Sequence, residues 1–193
     1  EQVGADGKIK HGTVGEESYT RQANTYAKMF SLTRRDLIND DLGAFNDLRN
    51  RLGRGAAQKF NDVFWTEFLS SHSTFFTTAR TNYITGATTT LLTDGVGLGL
   101  AVKAFRQMTS PSADGTKRIG GVPEILLVPP ELEAAAEGLY VNQNLGAVAT
   151  SAANIYANKY RVVTVAWLSD SAFTGYSTTA WYLLRNPGMM PMV

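Results

Sequence analysis

Between Leu42 and Ser71 the apolar positions Leu42, Phe45, Leu48, Leu52, Ala56, Phe60, Val63, Phe64 and Phe68 recur every three or four residues. This is one continuous stripe, and it predicts a single long amphipathic helix. At 1.5 Å per residue such a helix is a rod of about 45 Å, against roughly 30 Å for the width of a small domain. It must run along an elongated body or project into neighbours. Thr33 followed by Asp36 resembles a capping box that opens a short helical turn, and Asp40 or Asp41 can cap the long helix by accepting its free N–H groups. Gly43, Gly53 and Gly55 each weaken a helix by about 1 kcal/mol relative to alanine, so a kink or a close contact is expected near Gly53. Ahead of these helices, Tyr26, Phe30 and Leu32 share one parity in the segment Asn24 to Thr33, with Lys28 among them, the alternation of a half-buried strand.

The flanking segments are patterned differently. Gly4 to Ser18 is polar, and Asp6-Gly7 is the turn of an exposed hairpin. After Ser73 the threonine- and glycine-rich run "FFTTARTNYITGATTTLLTDGVG" predicts loops with brief extended pieces. Leu98 to Met108 predicts a helix, Glu124 to Val128 a buried strand stopped by Pro129-Pro130, and "ELEAAAEGLYV" a helix entered through those prolines. A small-residue loop, "NQNLGAVATSAANIYANK", leads to a second core strand at Tyr160 to Leu168 and a further strand at Thr179 to Leu184. Helices and strands in this order describe an α+β fold without internal repeats.

Composition narrows the function classes. The 193 residues fit one domain or two small lobes with a true core. Eighteen basic against seventeen acidic side chains leave a formal charge of +1, which gives no global field of the kind that marks a dedicated nucleic-acid binder. The absence of cysteine removes disulfides, thiol nucleophiles and cysteine-containing zinc sites. No apolar run reaches the roughly 18 to 20 residues of a membrane span, and "EQVGADGKIKHG" lacks the features of a signal peptide, so the chain is expected to be made in the cytoplasm.

Candidate chemistry is sparse. Gly95, Gly97 and Gly99 in "DGVGLGL" precede a helix as phosphate-cradling glycines do. They lack the full GxGxxG spacing, a long preceding strand and the Lys-Ser/Thr of a nucleotide loop, which favours a flexible helix entry. His11 and His72 belong to no HExxH or nucleophile–base motif. Adjacent helix residues point in different directions, so Asp40-Asp41 serve better as caps than as an acid–base pair, and Glu16-Glu17 form no such pair either. No GxSxG elbow accompanies the serines. Arg49, Arg51, Arg54 and Lys59, interspersed with Asp47, Asp62 and Glu67, form a solvated helix face or, in the sharper reading, a subunit contact. No enzyme, cofactor or metal is predicted.

Five separated blocks occur in order: "KIKHGTVGEESYTRQANTYAKMFSLTRRDLINDDLGAF", "GRGAAQKFNDVFW", "ILLVPPEL", "YRVVTVAWLSD" and "GYSTTAWYLLRNP". Together, over nearly the whole chain, they resemble the Mu-like phage major head subunits, including capsid domains fused to a prohead protease. That resemblance implies the Hong Kong phage type of capsid fold, an L-shaped α+β subunit that tiles an icosahedral shell around DNA. It implies that residues 1–23 are part of an extended loop reaching over a neighbour, that 24–89 form a peripheral domain with a spine helix at 42–71, and that 90–193 are mainly the axial domain. Candidate subunit contacts under it are Lys8, Lys10, Arg34, Arg35, Asp40, Asp41, Arg49 and Arg54. Implied partners are further copies of the chain as pentamers and hexamers, packaged DNA bound nonspecifically on the inner face, and scaffold, prohead protease and portal. The place implied is the virion capsid.

Two departures accompany the resemblance. The N-terminal arm is absent, and the chain ends at "NPGMMPMV" where relatives continue into peripheral-domain strands, so a truncated subunit with Phe60, Phe64 and Phe68 partly uncovered is expected. No lysine–asparagine pair for a covalent cross-link is evident. The alternatives are an encapsulin-like compartment shell, a small nucleotide-binding enzyme using Gly95 to Gly99, and a monomeric binding module.

Overall fold

The computed structural model describes residues 22, 24–29, 33–38, 44–109, 118–145 and 152–186. Its helices and strands are α1 (Arg34–Ile38), α2 (Ala44–Phe75), α3 (Val96–Gln107), β1 (Ile125–Val128), α4 (Glu133–Val141), β2 (Asn144–Leu145), β3 (Ala152–Ala153), β4 (Arg161–Thr164) and β5 (Tyr182–Leu184). Short 3₁₀ turns occupy Thr78–Arg80, Ala87–Thr89, Pro130–Leu132 and Ala166–Leu168. The mixture of helix and strand is the α+β composition expected.

β1 organises the body. It pairs in parallel with β4, Leu126 opposite Val162, and antiparallel with β5, Leu126 opposite Leu183, so the sheet order is β4-β1-β5. A central strand is covered on both faces, which is why ILLV reads as an unbroken apolar run. Successive side chains then alternate between faces. Leu126 and Val128 join Leu91, Leu98, Ala136, Leu139 and Tyr160 under α3 and α4. Leu127 turns the other way to join Leu69 of α2 and Leu168. The sheet is therefore the middle of three layers.

Several boundaries differ from the sequence reading. α2 runs four residues beyond Ser71, because hydroxyls that signalled a loop bond within the helix: Thr74 Oγ1 donates to Ser71 O at 2.8 Å and Ser71 Oγ to Glu67 Oε1 at 3.0 Å. Its last carbonyls are then met from outside, Thr74 O by Arg80 at 2.7 Å and Phe75 O by Asn82 Nδ2 at 3.0 Å. Helix continues through Gly53 and Gly55, and a Cβ at either position would meet nothing within 4 Å, so the close contact expected near Gly53 is not present. α3 begins at Val96, two residues early. The strand expected at Asn24–Thr33 is absent at the described positions of that segment, which are exposed and belong to no strand, Met29 being 93% exposed.

The second core strand is also shorter than predicted. β4 stops at Thr164, Val165 N donates to Val128 O at 2.9 Å, and the 3₁₀ turn that follows swings Leu168 into the core. β5 starts at Tyr182 instead of Thr179, since Ser177 Oγ captures the N–H groups of Thr179 and Ala180 at 3.3 and 3.1 Å and holds a turn there. Within the loop predicted at 142–159, β2 and β3 pair, and Asn154 binds the end of α4. Its Nδ2 donates to Leu139 O and Asn142 O, both at 2.7 Å, while its Oδ1 accepts from Tyr156 N at 2.8 Å.

Candidate assembly surface

α2 divides into two functional lengths. From Trp65 to Phe76 an aromatic series fastens it to the sheet: Trp65 stacks on Trp167 at 6.3 Å, Phe68 meets Tyr182 edge-on at 5.3 Å, and Phe76 lies 5.4 Å from the same tyrosine. Edge-to-face and offset pairs of this kind fix orientation as well as burying area. The approach is close at Gly175, whose φ of +90° suits glycine and whose Cβ would overlap the Leu69 carbonyl. Burial pushes the Tyr182 hydroxyl up in pKa, with Tyr83 adding to the effect.

The preceding length is bare. Every residue from 50 to 61 is exposed, Phe60 at 76%, and Phe64 in the next turn at 53%. Leu52, Ala56, Phe60 and Phe64 form one i, i+4 ridge along it. Between Asp47 and Asp62 the helix carries Arg49, Arg51, Arg54 and Lys59 and no acidic residue. Lys59 Nζ sits 4.8 Å over the Tyr26 ring, a cation–π contact that lays the 24–29 segment near this face. α4 has the opposite character: Glu131, Glu133 and Glu137 are exposed, and no Lys or Arg occurs between Arg118 and Lys159.

The residues singled out in the sequence are scattered. Arg34 and Arg35 are exposed on α1 and Arg54 on α2; Arg49 lies in α2, its side chain outside the described residues. Lys8, Lys10, Asp40, Asp41, His11, Glu16 and Glu17 lie outside them too. The glycines of "DGVGLGL" have a packing role. A Cβ at Gly97 would overlap the Thr90 carbonyl and one at Gly99 would stand 2.6 Å from the Tyr156 hydroxyl, while Asp94 Oδ1 accepts from Val96 N at 3.0 Å at the helix start. The N-terminus thus already holds a carboxylate. His72 Nδ1 is bonded to the Leu69 carbonyl. An open depression lined by Thr78, Thr81, Tyr83, Ile84, Ala104, Gln107 and Arg118 offers no carboxylate or histidine. Among the described residues no group of three or more His, Asp or Glu side chains is placed to hold a metal, and no helix is long and apolar enough to cross a membrane.

Sequence reasoning missed Trp167, Gly175 and Asn154, which hold the docked helix and close α4. Phe64 and Phe68 stood at helical spacing in the stripe, whereas Trp65 lay outside it, and the partners of Trp65 and Phe68 about a hundred residues away carried no local signal.

A scan against family models gives a match to the family described as phage capsid protein over residues 16–193. The chain belongs to the phage capsid protein family. No curated protein and no solved structure matches it. The family is a structural one.

Proposed function

We propose that this phage capsid protein is the major head subunit of a tailed phage or prophage, of the Mu-like group, self-assembling with the Hong Kong type of subunit into an icosahedral shell that encloses DNA. The observation that carries the proposal is the exposed length of α2 at 50–61 in a chain of a phage capsid family, where Leu52, Phe60 and the following Phe64 stand open to solvent among the described residues. In this proposal α2 is the spine helix of a peripheral domain at 24–89, residues 90–193 are mainly the axial domain, and residues 1–23 are part of an extended loop lying over a neighbour. Lys8, Lys10, Arg34, Arg35, Asp40, Asp41, Arg49 and Arg54 serve subunit contacts, and packaged DNA meets the inner face through nonspecific electrostatics. Scaffold, prohead protease and portal are its assembly partners.

Light scattering combined with negative-stain microscopy of the purified chain tests this. Rings of five or six, tubes or closed shells are expected. A compact monomer at high concentration, persisting after crowding agents and divalent cations are added, overturns it.

A further inference from the structure

The near-zero charge of the chain conceals a separation of signs within its body. β1 and β4 start together, Ile125 opposite Arg161, and β5 ends beside them, Leu184 opposite Ile125 with Arg185 next along the chain. Lys159 and Arg161 are exposed there and Arg185 is half-buried. The C-terminal half of α3 lies at the same end. Arg106 is near enough to Tyr160 to oppose the rise in its pKa, and a Cβ at Gly121 would stand 3.0 Å from the Phe105 ring. Lys103 is exposed one turn earlier, and Arg118, also exposed, donates to the Gln107 carbonyl at 3.3 Å. Every Lys and Arg described between residues 90 and 186 is thus gathered at one end of the sheet.

The carboxylates lie elsewhere, Glu124 excepted. Glu131 and Glu133 follow the opposite end of β1, Glu137 is a turn further along α4, Asp170 follows the turn after β4, and Asp94 stands at the start of α3. At about 3.3 Å per residue Glu124 and Val128 are about 13 Å apart, more than the Debye length of about 8–10 Å at ordinary ionic strength. Asp94 is about 18 Å along the helix from Arg106. The three strand ends, by contrast, are only about 10 Å across. The basic side chains therefore add to one local field, from which the carboxylates of Glu131, Glu133, Asp170 and Asp94 are screened.

A protein surface and a nucleic acid could each meet this field. Protein interfaces are depleted of charged residues at their centres, whereas nucleic-acid interfaces are rich in basic side chains, and arginine supplies paired donors that match phosphate oxygens. With Arg106, Arg118, Arg161 and Arg185 beside two lysines and a single carboxylate, this end has the second character. We propose that it is the surface that faces the phosphates of packaged duplex DNA, held without base readout by Lys103, Arg106, Arg118, Lys159, Arg161 and Arg185. The inference rests on the capsid-subunit proposal for its duplex, and it fixes which end of the body points into the shell.

Binding of the purified chain to a short random-sequence duplex, followed by fluorescence anisotropy over a series of salt concentrations, tests it. Arg106→Gln, Lys159→Gln and Arg161→Gln in one chain are expected to weaken binding roughly tenfold or more and to reduce the slope of log K against log salt by about 1 for each charge removed. The same charge removed from elsewhere, by Lys28→Gln, Arg51→Gln and Lys59→Gln, is expected to change affinity by less than about threefold. Equal losses from the two sets would mean that net charge alone attracts the duplex, and the inference falls. A second measurement needs no variant: the duplex is expected to slow acetylation of Lys103 and Lys159 in the wild type, read by mass spectrometry, and to leave Lys28 and Lys59 unchanged. The opposite pattern overturns the assignment. If the wild type forms rings or shells and the duplex neither binds nor protects these lysines, the inference is wrong and the capsid proposal stands. If the duplex binds at this end and the chain remains monomeric under every condition, the site stands and the capsid proposal falls. If the first set of substitutions abolishes assembly and leaves DNA binding intact, the basic end serves a neighbouring subunit and the inference is overturned.

Discussion

Trp65 of α2 and Trp167, in the 3₁₀ turn after β4, stack with ring planes 10° apart and centroids 6.3 Å apart. The pair joins the long helix to the far end of the sheet across about a hundred residues of chain. Both indoles are half-buried, so part of the effect of losing either is lost burial and part is the pair itself. A double-mutant cycle with Trp65→Phe and Trp167→Phe, followed by urea unfolding, is expected to give a coupling of about 1 kcal/mol. Strict additivity would mean that the stack contributes nothing beyond area.

Asn154 acts as both donor and acceptor at the end of α4, and its two donated bonds go to carbonyls that have no helical partner. Asn154→Ala is expected to destabilise by about 1–3 kcal/mol. Asn154→Asp should cost at least as much, because it keeps the acceptor for Tyr156 N, loses both donors and puts a negative charge at a helix C-terminus. Thermal unfolding of the two variants side by side measures this, and an aspartate variant more stable than the alanine one contradicts it.

Glycine substitutions should separate the two helices. At Gly97 a Cβ collides with the Thr90 backbone, which has no flexible end to yield, so Gly97→Ala is expected to destabilise by several kcal/mol or prevent folding. Gly53→Ala and Gly55→Ala enter open space in an intact helix and are expected to stabilise the subunit by about 0.5–1 kcal/mol each. Helicity by circular dichroism and the midpoint of urea unfolding are the readouts.

Alkaline pH should loosen the body through Tyr160 and Tyr182. Burial is the main cause that raises both pKa values above the ordinary 10.0; for Tyr160 a nearby Arg106 opposes the rise. Between the ordinary value and the raised one, the unfolded chain has lost a proton that the folded chain retains, so stability falls as pH increases. The contribution is complete below pH 10 and disappears as pH climbs through the folded-state values. Tyr160→Phe and Tyr182→Phe are each expected to flatten the fall in unfolding midpoint above pH 10 while leaving the slope near pH 7 unchanged.

What the sequence disclosed follows from the range of the forces involved. The α2 stripe, the ILLV strand and the proline-led entry to α4 depend on side chains a few residues apart, and periodicity shows them. The 24–33 alternation was equally periodic, yet Tyr26 is exposed and the described positions 24–29 join no strand, because alternation makes a strand only where another strand offers its backbone. The ends of α2 and β4 were misjudged for a related reason. Serine and threonine at 70–74 bond inside the helix, and Trp167 and Leu168 leave the strand for partners on α2, choices fixed by tertiary contacts. The candidate surface was half legible: the charges of Arg49 to Lys59 were plain, whereas the exposure of every residue from 50 to 61 is a property of the folded chain.

The position of β5 in the chain affects when a subunit matures. Trp181 and Leu183 complete the packing under α3 and α4, and Tyr182 and Leu184 complete the packing under α2. Neither side of the body closes until β5 has been made. During translation α2 can form locally, but it has no finished platform on which to settle, and the contacts that finish it span more than a hundred residues, which makes closure slow. Until β5 has been made, the layers on the two faces of the sheet lack the strand they share, and neither is held in its final position relative to the other.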